Sequence, residues 1–180
     1  MRWARLFDDL SGQIEAAEQA DRAAETAELR RLELSRVTLV DRLAGAVGSR
    51  ITVVVAELDP VSGELTQIGG DWALVNGTAE SLVFLPAVTA LTDLPVTTAS
   101  TGDGLDRSLG VGFVLRRLSR DRAQVHVVVR SGHVYTGTID RVGADFLDLA
   151  EHAADRPRRA DAVHRVRTVP FSALAVVRPA

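Results

Sequence analysis

The fold is decided by a five-residue stretch that occurs twice, as Ile51-Thr-Val-Val-Val55 and as Val125-His-Val-Val-Val129. In both copies apolar residues alternate with others, the period-two pattern of a strand that buries one face. The copies lie 74 residues apart, and the same offset relates residues 39–72 to residues 113–146 without a gap. Self-similarity of this length indicates an internal duplication.

Working outward, each copy predicts five short strands. They are expected near 51–57, 63–69, 72–76, 81–85 and 87–92, and near 125–130, 134–142, 146–150, 166–169 and 173–177. Ser131-Gly132-His133 predicts a tight hairpin turn, because glycine accepts positive φ. Gly137 predicts a strong bend or bulge, a device that curls a small sheet into a barrel.

These patterns predict a mainly β fold with an N-terminal α-helix and two tandem five-stranded small barrels, each preceded by a short helix. The end of the second copy aligns with the first at an offset of 84, which implies about ten extra residues between its third and fourth strands. The predicted organisation is a helix over 1–36, a first barrel over 37–93, a linker over 94–107 and a second barrel over 108–180. Trp72 and Phe146 occupy matching positions, which favours core or inter-barrel packing over a ligand platform.

The N-terminal segment carries an amphipathic stripe. Trp3, Phe7, Leu10 and Ile14 recur at the spacing of one helix face. Two alternatives stay open for this face: it packs on the barrels of its own chain, or it dimerises as a self-association helix.

The second copy resembles the Sm-like superfamily, the fold of LSm and Hfq-type proteins, and related SH3-like small barrels. The resemblance is carried by Val127-Val-Val-Arg-Ser-Gly132-His-Val-Tyr-Thr-Gly137-Thr-Ile139. It implies small barrels that associate through edge strands. The base-reading motifs of that superfamily are missing, since the turn after strand two is Gly143-Ala-Asp-Phe146 and strand four is Val166-Arg-Thr-Val-Pro170. RNA-binding residues are therefore not transferred, because fold alone does not dictate function.

Charge is distributed unevenly along the chain. All 21 basic side chains are arginine, a composition similar to that of actinobacterial proteins, and the net charge is −6 over residues 50–107 but +5 over residues 108–180. The guanidinium group of arginine can bind a phosphate or a carboxylate with two parallel hydrogen bonds. The candidate binding residues for an anion, a nucleic acid or an acidic partner are Arg156, Arg158, Arg159, Arg165, Arg167, Arg116 and Arg117. The same residues also have plainer interpretations. The cluster from Arg156 to Arg167 is equally typical of a solvated surface loop, and Arg116 and Arg117 suit the negative C-terminal end of a helix dipole.

Catalytic and cofactor chemistry is not indicated. The absence of cysteine excludes disulfides, thiolate catalysis and cysteine-ligated zinc. The four histidines lack metal-ligand spacing, and no nucleophile is paired with a base, so we expect no enzyme, no metal and no cofactor. We also expect neither a signal peptide nor a membrane span, and hence a cytoplasmic location.

Two functional hypotheses follow. The first is a non-enzymatic binding or scaffold protein that acts through protein–protein assembly, including self-association. The second is a protein that binds RNA or another nucleic acid through its basic residues 108–180. Net acidity and the missing base-reading motifs favour the first.

Overall fold

The computed structural model describes residues 19, 22–96, 98, 109–152 and 165–180. The chain divides into two compact units, Met1–Thr38 and Leu39–Ala180. The described part of the first unit contains a helix over 22–36, here α1, in which Leu29, Leu32 and Leu34 are exposed. Trp3, Phe7, Leu10 and Ile14 lie outside the described residues, so the choice between self-packing and dimerisation stays open.

Within the residues that the structure describes, the second unit contains two helices, ten strands and two short 3-10 turns. The helices are α2 (Leu39–Gly45) and α3 (Val111–Arg120), and the 3-10 turns are Leu85–Ala87 and Phe171–Ala173. The strands are β1 (Arg50–Val55), β2 (Val61–Ile68), β3 (Trp72–Asn76), β4 (Glu80–Phe84), β5 (Val88–Thr92), β6 (Gln124–Val129), β7 (Val134–Val142), β8 (Phe146–Glu151), β9 (Arg165–Pro170) and β10 (Leu174–Pro179). The ten strands and the helix before each set of five agree with the sequence pattern to within two residues at almost every boundary.

The prediction of two five-stranded barrels is wrong. All ten strands form one antiparallel sheet in the order β5-β1-β2-β3-β4-β10-β6-β7-β8-β9. The sheet is not closed, because β5 and β9 stand at its two ends.

The reason is the connection between the last two strands of each half. Between β4 and β5 the chain makes only a 3-10 turn with Pro86 in its first positions. This turn does not form a hairpin, and β5 pairs with β1 instead of with β4. The outer edge of β4 is left available, and β10 from the second half pairs with it. Five strands therefore do not close on themselves, and the two halves become continuous.

The strand registers of the two halves are the same. Ile51 lies opposite Gly63 and Val125 lies opposite Gly137, which is an offset of 74 on both strands. For the last two strands the offset is 86. The pair Trp72–Phe84 in the first half corresponds to the pair Phe146–Pro170 in the second. The alignment at 84 was thus displaced by two residues, and the second half has twelve extra residues before β9.

Two glycines have separate structural tasks. Gly132 has φ +80° in the turn between β6 and β7, which confirms the hairpin that its neighbours predict. Gly137 does not mark a bulge, since the register shift between β7 and β8 lies between Ile139 and Arg141. A Cβ atom on Gly137 would instead overlap the carbonyl oxygen of Ala150, so this position lets β8 approach closely.

The buried side chains form two clusters that both cross the junction between β4 and β10. Val83 and Val176 point into the first cluster, which is built mainly by the first half. Leu82 and Val177 point into the second cluster. Trp72 also packs in the second cluster although it belongs to the first half, and its Nε1 donates to the Leu109 carbonyl at 2.9 Å. The expected packing role of Trp72 is confirmed.

Candidate protein-interaction site

The candidate arginines are distributed over different surfaces. Arg116 and Arg117 lie exposed on α3, and Arg165 and Arg167 lie on β9. The remaining three, Arg156, Arg158 and Arg159, lie outside the described residues. The structure brings Arg165 and Arg167 together around one carboxylate and does not place Arg117 in the same groove.

That carboxylate is Glu151, at the end of β8. Arg165 Nε lies 3.7 Å from Glu151 Oε2, and Arg167 Nε donates to Glu151 Oε1. This hydrogen bond raises the pKa of Arg167 above its ordinary value. The guanidinium of Arg167 also lies over the ring of Tyr135, 4.0 Å from the ring centroid. Glu151 thus offsets part of the positive charge of β9.

Sequence reasoning missed both Glu151 and Tyr135. Their signal was present in part, because a carboxylate that ends β8 lies opposite Arg165 once the register is known. The register depends on the length of the insertion between β8 and β9, and the sequence comparison gave that insertion about ten residues instead of twelve.

A cavity of about 640 Å³ lies beside the junction between β4 and β10. Leu82, Phe113 and Leu118 contribute apolar surface, while Arg117 and Arg178 contribute charge. Arg178 Nε is held by the Ser81 hydroxyl at 3.1 Å. The cavity is lined by α3 and by strands of both halves of the sheet.

The two end strands of the sheet, β5 and β9, form two further candidate surfaces. The β5 edge (Val88–Thr92) pairs only with β1, and the β9 edge (Arg165–Pro170) pairs only with β8, within the residues that the structure describes. A groove of about 370 Å³ runs beside each edge. Leu39 and Asp93 line the groove at the β5 edge, and Tyr135 and Arg167 line that at the β9 edge.

The histidines that fall in the described ranges form hydrogen bonds inside the sheet or its turns. His152 is buried, with Nε2 at 2.8 Å from the Thr138 hydroxyl. His126 Nδ1 lies 2.8 Å from the Thr136 hydroxyl, and His133 contacts a serine of its own turn. Among the described residues, no group of three His, Cys, Asp or Glu side chains is arranged to hold a metal ion.

Within the described segments, no helix has the length and apolar character needed to span a membrane. Compared with protein-family models, with curated proteins and with solved structures, the chain matches none of them. The resemblance to the Sm-like superfamily therefore stays a prediction.

Proposed function

We propose that the chain is a cytoplasmic, non-enzymatic binding or scaffold protein that takes up a strand of a protein partner at the free edges of its sheet. The observation that carries the proposal is the open ten-stranded sheet, whose end strands are paired on one side only in the described part of the chain. An edge strand presents a row of backbone N–H and C=O groups that another strand can pair with. Strand addition of this kind is a recurrent mode of peptide and protein recognition.

The side chains of the two edges favour different kinds of partner strand. At the β9 edge, Val166 is 59% exposed between Arg165 and Arg167. This arrangement favours a partner strand that carries an acidic residue beside an apolar one. The β5 strand itself carries no charged residue and exposes the small side chains of Thr89 and Ala90, so a strand with bulkier side chains fits there.

Nucleic-acid binding through residues 108–180 is the competing hypothesis. It is supported by the net charge of +5 and by the exposed arginines of α3. Against it stands Glu151, which holds two of the candidate arginines in ion pairs. Five phosphate contacts on single-stranded RNA would give a log–log salt slope of about −3.5. Anisotropy with a mixed-sequence RNA, titrated at several salt concentrations, measures that slope, and an absence of binding at low salt rejects this alternative.

The protein-binding proposal is tested with a matched pair of variants. Val166→Glu places a charge of the wrong sign on the β9 edge, whereas Val134→Glu makes the same change at a similarly exposed valine (55%) on an interior strand. Tagged wild-type and variant chains are used to capture proteins from a native lysate after RNase treatment. We expect bound protein to survive RNase and to be reduced at least about fivefold by Val166→Glu alone.

Two results would contradict the proposal. One is capture that disappears with RNase, which points to nucleic acid. The other is equal capture by both variants, which removes the β9 edge from the interaction.

A further inference from the structure

The cavity beside the junction between β4 and β10 has the size of a small-molecule site. Its volume is about 640 Å³, and sites for small ligands occupy about 300–1,000 Å³. On the sheet side it is lined by Leu82 and Val177, which lie opposite each other across the junction. On the helix side it is lined by Phe113 and Leu118 of α3. Two strands from different halves and one helix therefore surround a single space.

Most of the residues that line this cavity are apolar, and one of them is left open to water. Leu82 and Val177 are buried, whereas the Phe113 side chain on α3 is 48% exposed. A ligand that covers exposed apolar surface gains the free energy of removing that surface from water. The cavity therefore favours a ligand with an apolar body.

Three charged side chains line the same cavity, namely Glu80, Arg117 and Arg178. Two arginines and one glutamate give the lining a net charge of +1. Arg178 is half-buried, and its Nε donates to the Ser81 hydroxyl at 3.1 Å, so its two terminal nitrogens remain as donors. In the described part of the chain, neither arginine forms an ion pair with a carboxylate.

The charges select the head group of the ligand. An uncharged ligand would remove water from the two arginines without giving them an acceptor, which is unfavourable. A carboxylate supplies two acceptor oxygens to a guanidinium in the preferred parallel geometry. One negative charge balances the lining, whereas a second one would meet the carboxylate of Glu80.

From these observations we infer that the cavity binds a small amphipathic monoanion, a carboxylate with an apolar body. Arg117 and Arg178 bind the carboxylate, and the apolar body packs against Leu82, Phe113 and Val177. The inference is independent of strand addition at the edges of the sheet, because no residue that lines the cavity belongs to β5 or β9.

Four probes with the same alkyl chain and different head groups test the inference. They are octanoate, octanol, octylammonium and octyl phosphate, titrated at slightly alkaline pH, where octyl phosphate carries two negative charges. Trp72 lines the cavity and reports occupancy through its fluorescence. The chain has two tryptophans, so Trp3→Phe leaves Trp72 as the single one. Calorimetry on the unchanged chain gives the affinity and the number of sites.

Two arginine variants on α3 form a matched pair. Arg116 and Arg117 are both exposed, but Arg117 lines the cavity and Arg116 does not. Because a hydrogen bond to a charged group contributes about 1.5–3 kcal/mol, Arg117→Gln and Arg178→Gln should each weaken octanoate binding at least about tenfold. Arg116→Gln should change it less than about twofold. Arg117→Gln alters an exposed side chain and keeps the test valid even where Arg178→Gln, which removes the donor to Ser81, unfolds the chain.

We expect octanoate to bind at one saturable site, at least about tenfold more tightly than each of the other three probes. The absence of saturable octanoate binding would overturn the inference. Equal or tighter binding of octanol, octylammonium or octyl phosphate would overturn it as well, because the head group would then not be a recognised monoanion. Equal weakening by Arg116→Gln and Arg117→Gln would show a general effect of charge and remove the cavity from the interaction.

Discussion

Truncation of Leu82 tests whether the two halves share one folded core. Leu82 is 5% exposed and packs in the second cluster, although its strand belongs to the first half. Replacement of a buried leucine by alanine costs about 2–5 kcal/mol, depending on the cavity that remains. Because Leu82 already borders the 640 Å³ cavity, we expect the lower part of that range, about 2–3 kcal/mol.

The measurement is urea unfolding, monitored by circular dichroism. A loss of about 2–3 kcal/mol lowers the midpoint by about 1–1.5 M for an m-value near 2 kcal/mol/M. Thermal unfolding should shift down by about 5–10 °C. Leu34→Ala is the control, since Leu34 is 69% exposed and its truncation should change stability by less than about 0.5 kcal/mol.

The shared core also predicts where protection is lost. Hydrogen exchange should accelerate in β6 and β8 of the Leu82→Ala chain as well as in β4, because these strands border the same cluster. Two separate unfolding transitions, with only the first half shifted, would refute the idea that the sheet is one cooperative structure.

Three further outcomes are expected. Gly137→Ala should cost about 2–4 kcal/mol in urea unfolding, because its Cβ atom overlaps the backbone of β8; a change below 0.5 kcal/mol would mean that β8 moves freely. Trp72→Phe removes the bond to the Leu109 carbonyl and should cost about 1 kcal/mol, with unchanged stability as the contrary result. Glu151→Gln releases two arginines and should raise the salt needed for elution from heparin, whereas Glu64→Gln, with the same charge change, should raise it less; equal elution would contradict the ion pairs.

Much of the local structure was accessible from sequence. The alternation of valines in β1 and β6 predicted both strands, and the turn at Gly132 followed from the need for positive φ. These features depend on neighbours within a few residues, which a single sequence displays directly. The repeat at 74 extended the same prediction to the first half.

The candidate site was harder to predict from the sequence. Arg165 and Arg167 were predicted as candidate binding residues for an anion, a nucleic acid or an acidic partner, and the structure pairs both of them with Glu151 of the neighbouring strand. The insertion between β8 and β9 hides that register, because its length changes the offset from 74 to 86. The β5 and β9 edges could not be recognised at all before the strand order was known.

The sequence by itself therefore determined which segments are strands, where the chain turns and that its two halves repeat one register. Only the tertiary structure decided that the halves share a single sheet. The deciding contact joins Val83 to Val176, and Arg178 to Ser81, across more than ninety residues of chain. A pairing between such distant segments depends on which edge is left unpaired in space, and no local pattern of apolar residues records that choice.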